Sequence, residues 1–194
     1  MIPLISSLCQ GTLGVCQLPR FWWKRITRSV GLLDPDYPDC SDGLDASVLE
    51  VLGLNRERTL GYLRDELPNY LAFELWVGQQ SDKLNRSAIR RWNDAVHKRV
   101  HSQPKKIVET YCDIGWTNDK LETGAVLLNS LQDWQLFHRR DLVSTHSTLQ
   151  FPVVPLVSSI DVGPLGVCQL PRTWLKIVLQ SKELLHEEYP ACGN

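Results

Sequence analysis

Arg20 and Lys24 stand four residues apart, a spacing that puts both cations on one face of a helix. Gly11 and Gly14 loosen the backbone just ahead of them. A helix start offers unpaired amides and the positive end of the helix dipole, so this segment could grip a carboxylate or a phosphate, with Asp45 completing the site. The plainer alternative is that the glycines make a turn and the two cations pair with carboxylates of neighbouring helices. The Gly-x-x-x-x-Gly-Lys-Ser/Thr order of a phosphate loop is absent. Cys16 lies in the same loop, where a thiolate could be stabilised and become nucleophilic. A nucleophile needs a base, however, and the sequence sets none of the histidines, at 97, 101, 138, 146 and 186, beside it. A buried, inert thiol is the favoured reading.

His97 and His101 have the spacing of two imidazoles on one metal, but Lys98 follows the first, and the surrounding cations oppose a divalent ion. No metal site is expected. His138 falls four residues after Trp134, on the inward side of its helix, either as a ligand-binding group or as a core histidine. Between Arg86 and Lys106 stand seven Lys or Arg against Asp94 alone. Nucleic acid could use such a face, yet Trp92 belongs to the apolar stripe of the same helix, and a solvated face is favoured. Trp92-Asn93 and Asp133-Trp134 set polar groups beside aromatic ones. The candidate ligand-binding residues are therefore Arg20, Lys24, Asp45, Trp92, Asn93 and His138; no catalytic residue or cofactor is assigned.

Helices must position these groups, because the apolar spacing is helical almost throughout and no alternating strand stands out. The first helix is expected from Leu18-Pro19 to about Leu32, proline suiting a first helical turn. A second follows Gly43-Leu44, with Asp45 able to cap it, and stops at Gly53. Asn55 caps a third, carrying Leu60, Leu63 and Leu67 inward. Pro68 opens a fourth, with Tyr70, Leu71, Phe73, Leu75, Trp76 and Val77, fading near Gly78. Asn85 or Ser87 caps a fifth, striped by Ile89, Trp92, Val96 and Val100. A shorter helix after Pro104 uses Ile107, Val108 and Tyr111 and ends near Gly115. The last, about 122 to 142, buries Val126, Leu127, Leu131, Trp134 and Leu136. The expected fold is all-α: a compact orthogonal domain of about six to seven helices, plus a C-terminal repeat helix.

That repeat is plain in the sequence. Residues 1–42 and 153–194 align without a gap at an offset of 152, with 21 identities in 42 positions, and share the core Gly-x-Leu-Gly-Val-Cys-Gln-Leu-Pro-Arg-x-Trp-x-Lys. The expected organisation is a complete helical unit over 1–143, a linker over 144–155, and a partial second copy over 156–194. The other features bound the class of protein. With 43% hydrophobic and 22% charged residues the composition is globular, and seven Trp make it tryptophan-rich. A net charge of −1 gives no field for nucleic acid or an anionic membrane, and no run approaches the roughly 18 apolar residues of a membrane span. The opening lacks a basic region, and its repeat lies inside the chain, so it reads as structure rather than a targeting signal. Four of the six cysteines are two positions counted twice, and none has Cys-x-x-Cys spacing, which favours reduced thiols in a cytoplasm.

Leu18-Pro19-Arg20 with Lys24, Gly43-Leu44-Asp45-Ala46, Leu52-Gly53-Leu54 and Trp92-Asn93 together resemble the bacterial family described as domain of unknown function 5069, over about residues 11 to 142. The resemblance implies a small helical domain, sometimes in tandem, and implies no reaction, cofactor or catalytic residue. It also implies a Gly-Leu-Asp segment after Cys192, where this chain ends instead. Two functions are expected. One is binding of a small anionic molecule near Arg20, Lys24 and Asp45, with enzymatic action on it left open. The other is protein interaction or assembly, with residues 153–194 docking or swapping between chains.

Overall fold

In the computed structural model, the structure describes residues 5–38, 40–101, 103–113, 123–124, 127–129, 131–133, 159 and 165–181. The chain is mostly helical and all-α, with helices α1 (Leu18–Ser29), α2 (Leu44–Val51), α3 (Arg56–Glu66), α4 (Tyr70–Gln80), α5 (Arg86–Lys98), α6 (Pro104–Asp113) and α7 (Leu170–Ser181). Two two-residue strands are described, Val100–His101 and Thr123–Gly124, and residues 127–129 and 131–133, within the last helix expected, are helical. Two compact units form, Leu4–Val100 and His101–Asn194 with Met1–Pro3. The linker expected over 144–155 lies outside the described residues.

In the Leu4–Val100 unit, α1 is the central helix, packed on α2, α3 and α4. It buries Leu18, Pro19, Arg20, Phe21, Trp23, Lys24, Arg25 and Thr27, almost its full circumference. Its proline sits in the first turn, as expected, but the helix stops at Ser29 rather than Leu32. Gly31 turns left-handed there (φ 72°), and the amides of Leu32 and Leu33 fold back onto the Thr27 carbonyl. Around α1 stand Leu44, Val48, Leu49 and Leu52 with Leu63, Phe73, Val77, Trp92 and Val96, all buried.

Asparagine side chains start three helices: Asn55 accepts from the Arg58 amide, Asn69 from Ala72 and Asn85 from Ala88, each at about 2.9 Å or less. Asn69, not Pro68, thus opens α4. Asp45 does not cap α2: Gly43 holds the cap position with no side-chain bond, and Asp45 turns inward. Gly53 ends α2 as expected; its φ of 67° and the Asp82 carboxylate packed against it leave no room for a Cβ.

Five apolar residues expected inside are exposed. Leu71 and Leu75 are 61% and 70% exposed, because α4 buries the narrow stripe Phe73, Glu74 and Val77. Leu67 is thrown outward by a left-handed backbone at the end of α3. Val100 lies past the end of α5, in an extended segment, and Val108 faces water on α6. Gly78 does not stop α4, which runs on to Gln80, where Ser81 donates to the Leu52 carbonyl. In the other unit, Ile107 and Tyr111 of α6 cluster with Leu128 and Leu131, Leu127 packing alongside. Thr123 and Gly124 are extended rather than helical; Gly115, Val126, Trp134 and Leu136 lie outside the described residues.

Candidate functional site

Glu74 organises the loop ahead of α1. It is buried on α4, and its carboxylate accepts from the Thr12 amide (2.9 Å), the Thr12 hydroxyl, the Leu13 amide (3.3 Å) and the Tyr70 hydroxyl (2.7 Å). Gly11 makes this possible, since a Cβ there would collide with the carboxylate and the Tyr70 ring. Burial, then the bond to Glu74, pushes the Tyr70 hydroxyl far above its usual range. The loop therefore does hold an anion on its amides, and that anion is the protein's own side chain.

Trp92 and Asn93 hold the next stretch from α5. Trp92 donates its indole N–H to the Cys16 carbonyl (2.9 Å). Asn93 accepts from the Cys16 amide (3.0 Å) and donates to the Gly14 carbonyl (2.7 Å). The Cys16 thiol is fully buried; desolvation pushes its pKa up, against a lowering bond from the Gln10 amide (3.1 Å). Such a thiol stays protonated and is a poor nucleophile at neutral pH. Gln17 then adopts a left-handed backbone (φ 72°), its amide bonded to the Ser7 carbonyl at 2.8 Å.

The third anchor is Asp45. It forms a buried ion pair with Lys24 and accepts from the Gln17 side chain (2.8 Å), the Ser41 amide (2.9 Å) and the Ser41 hydroxyl (3.0 Å). Burial alone would raise its carboxyl, but Lys24 and the hydrogen bonds outweigh it and hold the carboxyl below its usual value. Arg20, also buried, donates to the Ile5 carbonyl at 2.9 Å.

Among the expected site residues, Lys24 and Asp45 meet directly, while Trp92 and Asn93 reach the same loop-and-helix segment through Gly14 and Cys16. Arg20 serves the loop backbone. His138 lies outside the described residues, as does Trp134; Asp133 is buried. Glu74, Tyr70, Thr12 and Gln17 were not expected; an acid flanked by Phe73 and Leu75 in an apolar helix was the available signal. His97 is exposed and His101 half-buried. No group of three or more His, Cys, Asp or Glu able to hold a metal occurs among the described residues. Arg86, Arg90, Arg91, Lys98 and Arg99 form an exposed basic face.

The second copy repeats the backbone of the first. Gly166 and Gln169 have φ of 69° and 67°, matching 69° and 72° at Gly14 and Gln17. The Gln169 amide meets the Ser159 carbonyl at 2.8 Å, as Gln17 meets Ser7, and α7 spans the residues equivalent to α1. The surroundings differ. Val15, Cys16, Gln17 and Leu18 are buried, whereas Val167, Cys168, Gln169 and Leu170 are exposed, Val167 at 50% and Leu170 at 48%. Where α1 buries eight residues, α7 buries Pro171, Leu175 and Leu179.

Comparison of the chain with protein-family models, with curated proteins and with solved structures returns no match. Among the described residues no helix is long and apolar enough to cross a membrane.

Proposed function

We propose that the chain is a protein-interaction module in which residues 153–194 are the docking element, working in a reducing cytoplasm. The observation that carries this reading is the contrast between the copies: one Val-Cys-Gln-Leu sequence, with one backbone geometry, is buried at 15–18 and exposed at 167–170. Leaving such apolar groups in water is unfavourable by roughly 25 cal/mol per Å², so covering them favours association. The small-anion reading is less favoured, because Lys24 is neutralised by Asp45 and the Thr12 and Leu13 amides already serve Glu74. The cysteine pattern, with four of six being two repeated positions and none at Cys-x-x-Cys spacing, supports the reducing compartment. A helical unit followed by a second copy is also the tandem arrangement implied by the resemblance to domain of unknown function 5069, and that kinship is part of the proposal.

The test is light scattering of the full chain against a chain lacking residues 153–194, from about 1 μM upward, since association follows mass action. The full chain should gain mass with concentration and the shortened chain should not. Identical masses across the range would sink the reading.

A further inference from the structure

We propose that the partner of the docking element is the same element in a second copy of this chain, the two α7 helices pairing along a seam of Leu170, Trp174, Ile177 and Ser181. This rests on the docking reading above and gives it an occupant. The four positions are separated by four, three and four residues, the spacing that lines one side of a helix facing another helix. Leu170 and Ile177 are each 48% exposed and Trp174 is half-buried, so α7 carries one apolar face buried by Pro171, Leu175 and Leu179 and a second in water.

The seam is absent from the first copy. Ile177 stands where α1 has Arg25, so the repeat has exchanged a cation for a branched aliphatic at the centre of this face. The cations of α7, Arg172 and Lys176, fall at other angles around the helix, and the positions flanking the seam are Pro171, Thr173, Val178 and Gln180. Two such helices can meet with no like charges opposed. A symmetric pair is also the commonest way for one surface to satisfy itself.

Docking into another chain's cradle in place of α1 fits less well. Pro164 stands at the position of Thr12 and has neither the amide nor the hydroxyl that Glu74 accepts from, and Thr173 replaces Phe21, whose ring lies 6.4 Å from that of Phe73. The displaced α1 would moreover expose its own apolar surface, so exchange gains no burial.

The exposed area sets the strength of pairing. Leu170 and Ile177, each 48% exposed on the seam, with Leu165 and Val167 in the turn ahead of the helix, leave an apolar patch of at most roughly a few hundred Å², a size found on ordinary monomers. Even doubled, it falls well short of the ~1,200 Å² at the lower end of stable interfaces. The pair is therefore weak and concentration-dependent.

Light scattering and sedimentation of the full chain test this, with Ile177→Arg, which restores the first copy's residue, Ile177→Leu, which keeps the seam apolar, and the chain lacking 153–194. The wild type and Ile177→Leu should rise from 22.2 kDa towards twice that mass. Ile177→Arg should stay monomeric over the same range with an unchanged circular dichroism spectrum. If Ile177→Arg associates like the wild type while the shortened chain does not, the docking reading stands and the α7 seam is wrong. If the shortened chain associates like the wild type, the docking reading itself fails.

Discussion

Lys24 and Asp45 are both nearly fully buried, so neither can be removed alone without leaving a charge or its partner's hydrogen bonds unsatisfied. Asp45→Ala should therefore destabilise the Leu4–Val100 unit by about 3–5 kcal/mol, read as a lower urea midpoint, whereas Lys24→Met with Asp45→Leu together should recover most of that loss. The same carboxyl gives a pH dependence. Its folded pKa is lowered, so its contribution is complete above the ordinary carboxylate range and is lost as pH falls through the lower folded value. Between about pH 6 and pH 2.5 the wild type should lose more stability than Asp45→Asn; parallel losses would show that the pair does not couple to folding. The importance of Lys24 and Asp45 was legible from residue type, but their mutual pairing was not, because two residues 21 apart in sequence, on different helices, meet only once those helices are packed together. Glu74 was less legible still. Only the approach of Gly11 to α4 reveals that a carboxylate in an apolar helix is satisfied by loop amides.

At the scale of elements, stop and start residues were the readable part, since they act through bonds only a few residues long. Asn55 and Asn85 cap where expected, and Gly53 ends α2. The sequence left Asn85 and Ser87 as alternatives; the Asn85 oxygen takes the Ala88 amide, and Ser87 merely donates to that oxygen. Thermal unfolding should accordingly show Asn85→Ala costing about 1 kcal/mol and Ser87→Ala within about 0.5 kcal/mol of wild type. Equal losses at both would contradict this assignment. Helix faces were readable where polar and apolar residues alternate, as on α5, whose Trp92 and Val96 are buried above an exposed basic side. They were not on α4, which is apolar around most of its surface and gives no direction to its inner stripe. There packing decides: Tyr62 stacks on Trp76 with centroids 4.6 Å apart, and Leu71 and Leu75 are left outside.

At the scale of the whole molecule, repetition of sequence produces repetition of backbone but not of environment. The first copy is enclosed by Asp45, Glu74 and Trp92-Asn93; the second builds the same turn and helix and leaves its leading residues in water. The repeat was fully legible in the sequence, whereas the contrast in burial depends on neighbours distant in the chain. Cys16 and Cys168 report on it directly, since they occupy the same position in the two copies and lie on different tryptic peptides. Limiting iodoacetamide at about pH 7.5 and low micromolar protein, followed by tandem mass spectrometry that separates Cys16 from Cys9 on its shared peptide, measures both thiols in one sample. Cys168 should be alkylated faster than Cys16 by about tenfold or more, as expected of an exposed thiol against a buried one whose pKa is raised. Equal rates, or faster labelling of Cys16, would contradict the account that one copy is enclosed and the other presented for docking.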